Sequence, residues 1–529
     1  MSFFDELQKN IDGINQMQRT ENGAVGYKST GHELLDMNFS IPKYRNAGEA
    51  EIISDFEKAY EADPVNAVLW AFYARDVRGG LGERRLFRIL LRWLCANHEN
   101  RARQVLNQVA EYGRWDDLIY ATKGTPVWRD TVEIIKAQLV ADYGAMGAGK
   151  PISLLGKWLP SERASSSETR ATARKLAADM GLKIQFYNRM LSRLRKYSDV
   201  VEVKMSAREW SAIDYSAVPT YANLKYKNAF LRNDEERRRA YLEALNKGET
   251  KINASTAFPH DIVKKYMGDV TGAGLVRAVF GFPICKMTNT PDPAVEAMWR
   301  ALPQMDGLEN VMVVADGSGS MYNNQKPRPI EVAVALAIYC AEHCKGEFNN
   351  KYITFSQAPR FIDLSGNSTL LGKAMTAMKN SEAANTNIEA VFQIILDTAI
   401  EKNARLDELP KTILIISDME FDNCAETGEI VERTGYYYHK YARPNDALFE
   451  KLRQRYRAYG YPLPRLVFWN VASRTGTIPI KENELGVTLV SGYSVSILKM
   501  ILSGETDPYK NLIKTLHSER YLPIYRALS

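Results

Sequence analysis

Cysteine and histidine are scarce in this chain: its 529 residues carry five of the first and six of the second. Cys95, Cys285, Cys340, Cys344 and Cys424 lie too far apart for a disulfide framework or a Cys-x-x-Cys zinc site. Long apolar runs are missing as well. Among the longest is Val332–Ala341, far short of the roughly 18 residues that a bilayer span requires. Glycine (33) and proline (21) are modest, which excludes collagen-like and wholly disordered classes. The opening MSFFDELQKNIDG has early acids and no apolar core before a cleavage site, so no secretory leader is expected. These absences leave an intracellular, reduced protein, expected in the cytoplasm, with two to four folding units at roughly 150 residues each.

Neither sign of charge dominates overall, with 69 Lys+Arg against 63 Asp+Glu, but the distribution is uneven. Residues 1–150 hold 19 basic and 21 acidic side chains, residues 271–529 hold 28 of each, and residues 151–270 hold 22 against 14. The positive excess therefore lies in 151–270. A local excess of this sign attracts phosphate backbones by counterion release. A solvated helical surface whose basic residues never converge accounts for it equally well.

Residues from about 50 to 250 read as successive helices. Leu69–Leu94 has helical apolar spacing broken at Gly79, Gly80 and Gly82, which predicts two helices and a turn. Arg101–Tyr112, Trp128–Tyr143, Glu168–Met180, Ile184–Tyr197 and Asn233–Lys247 continue the pattern without a fixed period, as in an irregular helical array. After about residue 285 come short apolar runs typical of buried parallel strands: Val311–Ala315, Lys351–Phe355, Thr412–Ile416, Leu466–Val471 and Val487–Val490. Helical stretches Ile330–His343, Ile388–Thr398, Asp446–Tyr459 and Ser494–Leu502 alternate with them. The expectation is an α plus α/β protein: helical repeats over 1–302, then a doubly wound domain over 303–529.

The sharpest chemical signal is VMVVADGSGSM. A buried strand ends at Ala315, and Asp316, Ser318 and Ser320 follow in one turn. Open α/β sheets bind ligands outside the carboxyl ends of their strands. One carboxylate and two hydroxyls at spacing two offer the hard oxygens that a small dication requires. Thr386 in ANTNIEA and Asp418 in SDMEFD sit in later loops able to complete the set. The alternative is a degenerate site that keeps a serine-rich turn.

This five-residue set resembles the metal-ion-dependent adhesion site of von Willebrand factor type A domains. The resemblance implies Mg²⁺ or Mn²⁺ held by Asp316, Ser318, Ser320, Thr386 and Asp418, with one position open for a partner's carboxylate. The third loop reads Asp-Met-Glu-Phe-Asp where many members have Asp-Gly, so Glu420 and Asp422 could add charge or fill the open position. The stretch 423–445 is longer than an ordinary connection, either a lid or partner-binding insertion or a surface loop.

Amino-terminal strings extend the resemblance. RDVRGG at 75–80, GERR at 82–85, YGRWDDL at 112–118, KWLPS at 157–161, VEVKMS at 201–206 and FPHDIV at 258–263 stand ahead of the type A-like half. Together they resemble the Ro autoantigen family, whose TROVE module is a ring of HEAT-like helical repeats, and most nearly a phage and plant subgroup sharing SDMEFD and SGYS. The resemblance implies a ribonucleoprotein component. Its ring would bind small noncoding RNA or the 3′ ends of misfolded RNA, and an exoribonuclease would be one tethered partner.

The residues themselves agree in part. Arg189, Arg193 and Lys196 share one helix face, with Arg195 off it. Lys204, Arg208, Lys225, Lys227 and Arg232 follow, interleaved with Trp210, Tyr215, Tyr221 and Tyr226. Arginine forks grip phosphates and aromatic faces stack bases; for any single residue, core packing or solvation is the competing explanation. His260 and Lys264 lie four apart at a helix start, where the family uses a histidine for RNA. Arg84, Arg85 and Lys157 are weaker candidates because Glu83, Asp116 and Asp117 are alternative ion-pair partners for them.

No catalyst emerges. Gly144–Lys150 has phosphate-loop spacing, but Pro151 replaces the hydroxyl that would ligate Mg²⁺. Ser491–Ser494 lacks a nucleophile elbow. Cys340, His343 and Cys344 lie on an apolar helix suited to packing. The expectation is a non-enzymatic RNA-binding protein with a metal adhesion site, against a metal-dependent protein-interaction scaffold without an RNA ligand.

Overall fold

The structure, a computed structural model, describes the chain apart from residues 1–3, 5–6, 9–10, 13–14, 255, 268–286, 306–307, 356–358, 380–387, 422–447, 481–485, 503–504 and 506. Thr386, Asp422 and the 423–445 stretch therefore lie outside the described residues.

The chain forms two compact units, and neither is contiguous. A helical unit comprises Gly48–Thr256 with Leu516–Ser529, and a sheet unit comprises Met1–Ala47 with Ala257–Thr515. The division into 1–302 and 303–529 differs from this at both ends and at the boundary itself, because residues 257–302 go with the sheet unit. The last residues belong to the helical unit for a specific reason: Arg520 Nε donates to Asp76 Oδ2 at 2.8 Å, and the Tyr521 ring stacks on Tyr112 with centroids 5.7 Å apart. No local composition cue reports such a return.

In the helical unit, Pro64–Arg75 and Arg84–Asn97 are separate helices, as the glycines predict. Gly80 is required there: a Cβ would come within 1.9 Å of the Tyr73 carbonyl oxygen. Trp128–Gly147 is one helix that runs through Gly144, so the first four residues of the phosphate-loop spacing, Gly144–Gly147, are helical. Ile184–Tyr197 buries Tyr187, Met190, Leu191 and Leu194 among Trp128, Ile135, Leu155 and Leu176. That apolar stripe at helical spacing fixes which face points outward.

The sheet unit opens with an antiparallel hairpin, β1 (Met17–Arg19) and β2 (Val25–Tyr27). Its main sheet contains β3 (Val311–Asp316), β4 (Lys351–Phe355), β5 (Arg360–Asp363), β6 (Thr412–Ser417), β7 (Arg465–Asn470) and β8 (Val487–Ser491), in the order β5-β4-β3-β6-β7-β8. All pairs are parallel except β4 with β5. Runs such as TILIIS are buried nearly throughout, which explains their continuous apolarity. The edge strand β5 and the hairpin were not foreseen; strands of three and four residues carry too little alternation to read. From β3 the chain passes to β4 on one side and later reaches β6 on the other. The order thus reverses at β3/β6, the kind of switch point beyond whose carboxyl ends open α/β sheets bind ligands. Among the described residues, no helix is long and apolar enough to cross a membrane.

Candidate metal centre and basic helix face

β3 and β6 run side by side, with Ala315 opposite Ile416, so their ends bring Asp316 and Asp418 to adjacent positions. Asp316 is 2% exposed, and Ser318 and Asp418 are fully buried. Asp316 Oδ1 accepts from the Ser318 amide at 2.8 Å and Oδ2 from the Ser417 hydroxyl at 2.6 Å. The Ser318 and Ser320 hydroxyls are 3.0 Å apart, and Ser320 also bonds the Asp418 carboxyl. Asp418 Oδ1 accepts from the Glu420 amide at 3.2 Å, while Oδ2 is buried without a hydrogen-bond partner. Burial first, then the charges of Asp316 and Glu420, push the Asp418 carboxyl up to about 8.

Four of the five expected ligands thus come together, and Thr386 lies outside the described residues. An orphaned buried carboxylate oxygen beside a second carboxylate and two hydroxyls is an arrangement that a small hard cation would satisfy. Among the described residues, no cluster of three or more His, Cys, Asp or Glu forms a metal site of that other kind. The backbone between the two third-loop acids is unusual. Met419 has φ +62°, a left-handed conformation that glycine favours, although its side chain is fully buried and its amide donates to Ser417 Oγ at 2.9 Å.

Glu420 is committed elsewhere. Its Oε1 accepts from the amides of Arg474 (3.0 Å) and Thr475 (3.1 Å), and its Oε2 from the Glu21 amide (2.7 Å). It contributes charge beside Asp418, but its oxygens are engaged by the hairpin and the loop after β7. Sequence reading missed Arg474 and Glu21 at this centre, because both reach it from distant segments.

On the helical unit, Arg189, Arg193 and Lys196 are exposed on one face of Ile184–Tyr197, and none has an ion-pair partner among the described residues. Arg195 is held off that face, donating to the carbonyls of Gly156 (2.8 Å) and Leu159 (2.9 Å). Arg208 is exposed at a left-handed helix end, φ +62°. Lys204 is withdrawn, bonded at 2.7 Å to both Asp199 and the Ala212 carbonyl. Of the interleaved aromatics, Tyr215 is core, Trp210 and Tyr226 pack against that core, and Tyr221 is exposed. Phe186 is 55% exposed and lies three residues before Arg189, an aromatic the sequence reading passed over.

Arg84 and Lys157 are paired. Arg84 bonds Asp116 and Asp117, joined by Arg88 and by Arg75, which is nearly buried; Lys157 lies 3.7 Å from Glu202. The i, i+4 spacing of Arg84 and Arg88 on one helix was the available signal for this network.

His260 and Lys264 belong to the sheet unit. Lys264 Nζ pairs with Glu331 at 3.0 Å. His260 is 4% exposed, stacked on Phe258 and edge-on to Tyr493, with Nδ1 unpartnered. Its imidazole is lowered to about 4, chiefly by burial; Asp261 opposes the shift, and Arg45 and Lys264 add to it. The unfolded chain takes up this proton near pH 6.5, the folded chain only near 4. Stability is therefore lost as pH falls through that window, by about 3 kcal/mol in all. Denaturant midpoints from pH 7 to 4 should show this loss, reduced in His260→Gln.

Two family models divide the chain. One, described as Domain of unknown function (DUF2828), matches residues 20–142 and 127–302; the other, Domain of unknown function (DUF7788), matches 310–520. A relative described as uncharacterized protein L728, from Acanthamoeba polyphaga mimivirus, is 28% identical over 546 residues, covering 96% of this chain and 88% of its own. A crystal structure of the RO (RSR) protein of Deinococcus radiodurans aligns over 95% of this chain and 96% of its own, with 12% identity and a TM-score of 0.39. At that score the likeness carries no argument about this molecule.

Proposed function

We propose, of a chain that belongs to the family described as Domain of unknown function (DUF2828), that it is a non-enzymatic RNA-binding protein of Ro type with a divalent-metal adhesion site. The observation that carries the RNA reading is the outward row Arg189, Arg193 and Lys196, uncompensated by acids among the described residues. Guanidinium forks and an ammonium along one helix face suit a phosphate backbone, and exposed Phe186 supplies a stacking surface beside them. The ligand class is small noncoding RNA or the 3′ ends of misfolded RNA, bound in the cytoplasm. Fluorescence anisotropy with a 3′-tailed RNA tests this. For about five single-strand phosphate contacts, affinity should fall roughly a hundredfold between 50 and 200 mM salt.

The second part of the reading is a type A-like centre in which Asp316, Ser318, Ser320, Thr386 and Asp418 hold Mg²⁺ or Mn²⁺. The orphaned Asp418 oxygen supports it. The ion would supply an open coordination position for a carboxylate from a second protein, an exoribonuclease being one partner of this kind. Asp316→Ala should weaken Mn²⁺ binding by more than about a hundredfold, since even outer-shell changes cost 10–100-fold. Calorimetric titration should show that loss, with RNA affinity unchanged.

A metal-dependent protein scaffold without RNA is the second reading. It is favoured by the engagement of Lys204 and Lys264 in internal pairs and the burial of His260. On that reading RNA binding is weak and indifferent to changes at Arg189, Arg193 and Lys196.

A further inference from the structure

Among the described residues, a basic group that reaches Asp418 comes from none of the loops that carry Asp316, Ser318, Ser320 and Asp418. Arg474 follows β7, and its Nη2 stands 3.8 Å from Asp418 Oδ2, the buried oxygen with no hydrogen-bond partner. The same nitrogen pairs with the carboxylate of Glu21, and Arg474 Nε is buried with no acceptor. One guanidinium is thus shared between an inner and an outer carboxylate, with hydrogen-bonding capacity unused.

The backbones carrying these groups are fixed. Glu21 sits in the turn between β1 and β2. On one side of it Thr20 Oγ1 donates to the Phe421 carbonyl at 2.7 Å, and on the other Asn22 Nδ2 donates to the Glu420 carbonyl at 2.6 Å. The Glu420 carboxylate closes the other side, accepting from the amides of both Glu21 and Arg474. What remains free to move is the Arg474 side chain, 34% exposed on a long flexible stem. A divalent ion and the guanidinium compete for Asp418 Oδ2, because like charges within a few ångströms repel strongly in a partly buried site.

Resting on the reading of this centre as a divalent-ion site, we propose that Arg474 is its exchangeable counter-cation. Arg474 stands over Asp418 Oδ2 when no divalent ion is held and yields that oxygen when one is. Glu21, at the tip of the amino-terminal hairpin, draws the guanidinium away and so tunes the site's affinity. The hairpin thereby acts on the metal centre through one shared side chain.

The test is Mn²⁺ titration of the full chain, read from the electron paramagnetic resonance of free Mn²⁺, with thermal melts to verify folding. Arg474→Gln removes the competitor and should bind about tenfold more tightly; Glu21→Gln leaves the guanidinium to Asp418 and should bind about threefold more weakly. Because Glu21 acts through Arg474, the double variant should match Arg474→Gln alone. Additive effects would mean that the two charges act independently through space, and exchange would be overturned. Variants identical to wild type, with Asp418→Asn having lost the ion, would overturn the exchange and leave the metal site standing. Wild type and Asp418→Asn behaving alike would overturn the metal site and this inference with it. Glu21→Gln changes an exposed side chain, so the test survives should Arg474→Gln fold poorly.

Discussion

Replacing Arg189, Arg193 and Lys196 together by glutamate should lower RNA affinity about a thousandfold at moderate salt and flatten its salt dependence. Each replacement removes one phosphate contact and puts a repulsive charge in its place, and each lost contact takes about 0.7 from the single-strand salt slope. The fold should be unaffected. The three side chains point away from Tyr187, Met190, Leu191 and Leu194, which anchor the helix, and glutamate is a good helix former. Net charge is controlled by reversing exposed Lys402, Arg405 and Lys411 in the sheet unit instead. Anisotropy titrations should show wild-type affinity for that control and near-background binding for the helix-face variant. Equal affinities for the two would remove RNA binding from this face.

The largest stability effect is expected at Asp117. Its carboxylate is fully buried and accepts from Arg75 Nε at 2.9 Å, Arg84 Nε at 3.0 Å, Arg88 Nε at 2.5 Å and the Arg114 amide at 3.1 Å. Asp117→Ala leaves Arg75, 7% exposed in its side chain, as a buried charge without this partner. Breaking a buried pair from one side costs about 3–5 kcal/mol. Asp116, about a quarter exposed, should cost far less on the same substitution. Urea denaturation monitored by tryptophan fluorescence would compare the two. Burial alone would raise the Asp117 carboxyl, but Arg75, Arg88 and Arg84 outweigh it and hold the group below the usual range. Its stabilisation is therefore present above the unfolded carboxylate value near 3.9 and is lost as pH falls through the lower folded value.

What the sequence revealed depended on how local each signal was. Asp316, Ser318 and Ser320 stand in one turn after an unmistakable buried strand, and Asp418 follows another, so parallel pairing of β3 with β6 was enough to unite them. The basic row was legible because helical spacing and the opposite apolar stripe agree. The bonds that hold Lys204 were not legible, because its acceptor at Ala212 is presented by a turn that no pattern marks. His260 read as an RNA-binding residue on the resemblance, and its burial was not legible because Tyr493, more than two hundred residues away, packs against it. Glu21, Glu420 and Arg474 meet across four hundred residues through backbone amides, which carry no residue-type signature at all. The last turn's return to Asp76 was hidden for the same reason.

The most direct test is to purify the full chain from its native cells, treat half with nuclease, and sequence any RNA that remains in the other half. The account predicts a defined small RNA, or a population with unpaired 3′ tails, absent after nuclease treatment. A nucleic-acid-free preparation that also ignores added tailed RNA at 50 mM salt would contradict it, and the search would move to proteins bound at Asp316 and Asp418.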